Sequence, residues 1–172
     1  MHAILQLNLA LCRGKDMPYA LFHDYFPEIA ERETRTVTLF EDSSWDLPPA
    51  HYSLLEMYCD EPSCDCRRVF FYVVSSLTKQ AVAVIAYGWE SPEFYAEWME
   101  ADDAEIINDL KGPVLNLGSP QSKIAPLILD MVQEVVLQDQ AYIQRLKAHY
   151  WMFRHHIDTR AQRGAQRKKK KT

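Results

Sequence analysis

The stretch YSLLEMYCDEPSCDCRRVFFYVVSSLTKQAVAVIAYG, residues 52–88, decides the fold. It contains three strand-like runs in quick succession, 52–58, 68–76 and 80–88, joined only by the links 59–67 and 77–79. A parallel crossover needs a dozen or more residues, so links this short imply an antiparallel meander. Val69 to Val74 and Ala81 to Ala86 are apolar on both faces, which marks central strands covered on two sides, or on one side plus a partner surface.

Moving toward the N-terminus, residues 35–40 (RTVTLF) are β-branched and alternating and add a further strand. The segment 41–50, with Ser43, Ser44, Pro48 and Pro49, reads as a loop. Over 17–33, Tyr19, Phe22, Tyr25, Phe26 and Ile29 fall at helical spacing, with Pro27 expected to break or kink the last turn. Residues 4–11 alternate Leu5, Leu7, Leu9 and Leu11 with Gln6 and Asn8 and suggest one more half-buried strand.

Toward the C-terminus, Ser91-Pro92 supplies an N-cap and a first-turn proline for a helix carrying Phe94, Tyr95, Trp98 and Met99. A second helical stretch runs from Asp102 to Leu110 and stops at Gly112-Pro113. From 122 to 156 the pattern is helical, with Tyr142, Leu146, His149 and Phe153 on an inward stripe. An unbroken helix of that length would measure about 50 Å, too long for a domain of this size, so a break is expected near Gln138-Asp139-Gln140. The expected fold is α+β: an antiparallel sheet meander packed against helices, with a long C-terminal helix. Residues 1–157 are expected to form one domain, with a zinc-binding hairpin at 52–76.

The 172 residues are enough to bury a self-sufficient core. Their net charge of −5 is unevenly divided. Residues 1–157 carry 12 Lys and Arg against 23 Asp and Glu, a balance of −11, whereas 158–172 carry seven basic residues against Asp158 alone, a balance of +6. The acidic body repels phosphate backbones, so nucleic acid as a partner could rest only on the basic tail. That tail, 158–172, lacks an apolar stripe and is expected to be disordered. No apolar run reaches the ~20 residues of a membrane helix, and Leu11 is too large to precede a lipoprotein cysteine at Cys12, so a cytoplasmic location without membrane contact is expected.

Three of the four cysteines, Cys59, Cys64 and Cys66, fall within eight residues in the link between two strands. A hairpin link of this kind converges thiolates, because the strand ends stand only ~5 Å apart. Zinc takes four ligands in a tetrahedron, so three are local and one must come from elsewhere. His149 is the candidate fourth ligand because its helical stripe faces inward, although a hydrogen-bonded core histidine is the competing reading. His51 lies at the far end of its strand, His155 and His156 near the helix end, and Cys12 reaches the site only if the first strand ends beside it. Other readings of the cluster are free reduced thiols, a disulfide, or a redox pair at Cys64-Asp65-Cys66.

The string YCDEPSCDCRRV, residues 58–69, resembles one in uncharacterised bacterial proteins grouped near the SEC-C type of metal-binding motif. The SEC-C motif proper has further cysteines, whereas none follows Cys66 here. The resemblance implies metal binding and a bacterial, cytoplasmic origin, and it transfers no activity. The leading expectation for function is a non-enzymatic adaptor or binding module with a structural zinc. The alternatives are a nucleic-acid-associated protein using the tail and a metal-dependent hydrolytic enzyme with an open zinc position. The deaminase elements His-x-Glu and Pro-Cys-x-x-Cys do not occur.

Overall fold

The computed structural model describes residues 19–100 and 102–169. The strand expected over 4–11 lies outside them. The central meander consists of β3 (Ala50–Cys59), β4 (Arg68–Ser75) and β5 (Ala81–Gly88), all antiparallel, within two residues of the expected bounds. The short strand β6 (Val114–Leu115) extends the sheet beyond β5. On the other side the outer edge of β3 is shared by two strands. β1 (Tyr19–Leu21) pairs with Met57 to Cys59, and β2 (Arg35–Leu39) pairs with Ala50 to Leu54.

Between β1 and β2 the chain leaves the sheet as α1 (Phe22–Tyr25) and α2 (Pro27–Glu33). The single kinked helix expected over 17–33 is thus a strand followed by two short helices. Pro27 occupies the first turn of the second, where its missing N–H costs no intrahelical bond. The strand at Tyr19 was hidden in the sequence because aromatic residues at helical spacing also suit a strand edge followed by a turn.

The two faces of the sheet differ. Tyr52, Leu54, Glu56 and Tyr58 of β3 share one face with Val69, Phe71 and Val73 of β4, and the apolar members of this set join the main core. Opposite them in that core lie α5 (Ala125–Met131) and α6 (Gln140–Lys169), through Ile128, Met131, Tyr142, Leu146, Tyr150 and Phe153. Leu55, Met57, Phe70, Tyr72, Val84 and Ala86 form a second buried cluster on the other face. This is why the central strands are apolar at nearly every position.

The helices α3 (Pro92–Met99) and α4 (Ala104–Lys111) start as their caps dictate. The Ser91 hydroxyl accepts from Phe94 N–H at 3.4 Å, and Asp103 Oδ1 accepts from Glu105 N–H at 2.9 Å. The long C-terminal pattern breaks near the expected Gln138-Asp139-Gln140, although α6 beyond it is itself 30 residues long. α5 passes into a π-helical turn, Val132–Val136, and α6 begins at Gln140 after Asp139, whose carboxylate accepts from Tyr142 N–H at 3.1 Å.

A second expectation is corrected. The segment 158–169, expected to be disordered, continues α6 as helix. Arg160, Ala161, Gln162, Arg163, Ala165, Gln166 and Arg167 are strong helix formers, and extending an existing helix avoids the cost of nucleating one. An apolar stripe is required to hold a helix against a core, and it is not required to prolong one already held.

Candidate metal centre

Strand β3 ends at Cys59, and the chain turns through Asp60 to Arg67 before β4 begins at Arg68. Pro62 introduces the turn, Cys64 N–H donates to the Glu61 carbonyl at 3.3 Å, and Ser63 and Arg67 take left-handed backbone angles, φ 63° and 46°. Those two reversals fold the link over the end of its own hairpin. The three thiols meet as a result: the sulfurs of Cys59, Cys64 and Cys66 all lie within 4.8 Å of one another. Sulfurs bound to one tetrahedral zinc at ~2.3 Å stand about 3.8 Å apart, so the cluster needs only a small contraction to close on an ion.

The backbone prepares each sulfur for negative charge. Cys59 receives the N–H of Glu61, Cys64 that of Cys66, and Cys66 that of Arg68, in every case the residue two positions on. Such bonds favour thiolate over thiol. Cys59 gains most. Its hydrogen bond from Cys66 leads, and with the Glu61 N–H, Cys64 and the Arg154 charge it outweighs burial and brings the pKa down to about 6. Cys66 moves the other way, because donating to Cys59 and being buried hold its proton on, and burial also pushes the Cys64 thiol up. In the metal-free cluster negative charge is thus favoured on Cys59, while Cys64 and Cys66 hold their protons more tightly. A cation would displace the two remaining protons.

Helix α6 holds the link in place. The buried Arg154 donates from Nη1 to the Cys59 carbonyl at 2.8 Å and from Nη2 to Asp158 Oδ1 at 2.7 Å. The same Asp158 oxygen accepts from Ser63 N–H at 2.8 Å. At the far end of the link, Arg67 N–H donates to the Tyr150 hydroxyl at 3.3 Å, and the Tyr95 hydroxyl donates to the Arg67 carbonyl at 3.0 Å. The Arg67 guanidinium grips Asp65 through two bonds of 2.9 and 3.0 Å and lies 4.6 Å over the ring of Phe94. Arg67 thereby neutralises an acidic group that would oppose gathering thiolates. Cys59 and Cys66 are buried, while Cys64 keeps partial contact with solvent.

His149 does not join the sulfurs. It faces inward as its helical stripe requires, but its Nδ1 lies 2.7 Å from Glu56 Oε2 and its Nε2 3.2 Å from Glu33 Oε2. Tyr58 donates to the same Glu56 oxygen at 2.8 Å, and Phe22 stacks on the imidazole with 4.5 Å between centroids. Burial pushes the His149 pKa down, yet the Glu56 hydrogen bond and charge, joined by Glu33, outweigh it and leave the pKa raised. Both ring nitrogens are thus engaged by carboxylates, which ties α6 to β3 and α2, so the fourth-ligand expectation is corrected. Of the other histidines weighed from the sequence, His51 bonds Thr38 at 2.9 Å on an exposed part of the sheet, and His156 sits edge-on to Tyr25 and Phe26. Among the described residues no histidine or carboxylate joins the three cysteines in a ligand group. Cys12 lies outside the described residues.

Sequence reasoning missed Arg154, Asp158, Tyr150 and Tyr95. The one signal for them was the i, i+4 spacing of Arg154 and Asp158, which reads as an ordinary surface pair until the hairpin is laid beside it.

No family model matches the chain, and neither a curated protein nor a solved structure is found to resemble it. Fold and site alone define its class: an α+β protein whose β3–β4 hairpin carries three cysteines close enough to hold a metal ion. Among the described residues no helix is long and apolar enough to cross a membrane.

Proposed function

We propose that the protein is a non-enzymatic binding module in which Cys59, Cys64 and Cys66 hold a structural Zn2+. The observation carrying this reading is the convergence of three sulfurs within 4.8 Å, each served by a peptide N–H, on a hairpin bolted to α6 by Arg154 and Asp158. Sulfur-rich ligand sets favour zinc among the abundant divalent ions, and magnesium and calcium take oxygen ligands instead. Resemblance of the cysteine string to SEC-C-type motifs supports the same chemistry. The ion stabilises the conformation of residues 59–67 and so fixes a surface formed by the hairpin and the adjacent α6, which we take to be where a protein partner is read.

Cobalt substitution of the reduced protein tests this. An intense visible spectrum with thiolate charge-transfer bands, unaltered by azide or cyanide, supports a closed structural site. A spectrum that shifts on adding either anion exposes an exchangeable fourth position, and the hydrolytic alternative then takes precedence.

A further inference from the structure

The last buried side chain of α6 is Ile157. Beyond it the helix continues through Lys169, about 18 Å further, and its side chains through Arg167 meet no core. This extension contains no acidic residue after Asp158, whose carboxylate is already engaged by Arg154 and Ser63. His156, Arg160, Arg163 and Arg167 recur at spacings of four, three and four, which puts them on one stripe. Phe26 and Met152 line a groove together with these four residues, and Tyr25 and Phe26 meet the His156 ring edge-on at 5.2 and 5.8 Å. Lys168 to Lys171 follow in the sequence.

A helix with like charges three and four residues apart repels itself, and this one has no apolar face to compensate. An array of anions along the stripe would remove that repulsion and neutralise the surface together. We infer that the Arg160–Arg163–Arg167 stripe of α6 is a sequence-independent docking surface for the phosphate backbone of nucleic acid. Charge complementarity selects the partner. The body, at −11, disfavours a polyanion on balance, whereas the extension carries only basic charge after Asp158, so the helix is the favoured contact, and Arg154 and Asp158 tie its direction to the hairpin. The inference is independent of the zinc reading, since no residue of the stripe is a cysteine or bonds the hairpin.

The test uses the full-length protein, fluorescently labelled 20-base-pair DNA of arbitrary sequence, and a variant R160Q/R163Q/R167Q. The three side chains are exposed, so the variant should keep the wild-type thermal midpoint. Binding by the wild type is expected at low salt, with affinity falling linearly on a log–log salt plot. The variant should lose at least about tenfold in affinity, and its salt slope should be shallower by about 3, close to 0.9 for each phosphate contact removed. A wild type that does not bind DNA, or a variant that binds it equally well, overturns the inference. Tighter retention on phosphatidylserine vesicles than on DNA also overturns it, in favour of a membrane surface. So does self-association abolished by the same substitutions, which would direct the stripe to the acidic body of a second copy.

Discussion

His149 shows how much a single residue's role depends on partners distant in the chain. Its inward orientation follows from the spacing Tyr142, Leu146, His149 and Phe153, all buried. Its partners Glu56 and Glu33 lie 93 and 116 residues away, and no local pattern announces them. Because the folded-state pKa is raised above its unfolded value of 6.5, the bridge stabilises fully below that value and is lost as pH rises through the folded pKa. His149→Gln should therefore cost about 3 kcal/mol near pH 6, where it leaves buried Glu56 with only the Tyr58 hydroxyl of the partners described, and the gap to wild type should shrink at alkaline pH. Chemical denaturation of both proteins across pH 5.5–9 at constant salt checks this, and a gap that is flat or widens with pH contradicts it. Glu33 is one-third exposed, so Glu33→Gln should cost less, under about 1 kcal/mol.

At the scale of elements, the β3–β4 link is shaped less by its own sequence than by what receives it. The meander was legible because strand length and link length leave one topology. The break before Gln140 falls where it was expected, but not for want of room, since α6 itself runs unbroken for 30 residues. The split edge of β3 was not legible. Two strands share it, and the α1–α2 excursion between them carries Phe22 and Glu33 toward His149. The cysteine cluster was legible from spacing alone, but the Arg154–Asp158 clamp was not, since it acts through a backbone carbonyl and a backbone N–H that any residue could present. Asp158→Ala removes the acceptor for Ser63 N–H and a partner of Arg154 while leaving all three sulfurs. Supporting bonds of this type typically change metal affinity by about 10–100-fold, and a loss at the lower end, about tenfold, is expected in competition with a chromophoric chelator. Unchanged affinity would mean the hairpin keeps its shape unaided.

Gly88 makes a related point. A Cβ there would overlap the Tyr95 hydroxyl, which donates to the Arg67 carbonyl at the end of the link. Gly88→Ala should displace Tyr95 and destabilise the protein by about 1–3 kcal/mol, as overpacking does elsewhere. Thermal or denaturant unfolding measures it, and a neutral substitution would show that Tyr95 is free to move.

For the whole molecule, the proposed metal would add local order to a fold that has enough core without it. The main buried cluster spans both ends of the described chain, from Phe22 to Ile157, and the second face of the sheet is apolar as well. Stripping the ion with a strong chelator under reducing conditions should leave the far-UV circular dichroism essentially unchanged. Trypsin should gain access at Arg67 and Arg68 as the link loosens. Global unfolding on chelation, as in a small zinc finger, would show that the ion holds the fold itself.

The most direct test of the central claim is the metal content of reduced, natively purified protein, read together with X-ray absorption at the zinc edge. About one zinc per chain is expected, with three sulfurs at ~2.3 Å, and the ion should be lost when any one of Cys59, Cys64 or Cys66 is changed to serine. Metal-free protein with all three thiols freely reactive and no uptake of added zinc would contradict it.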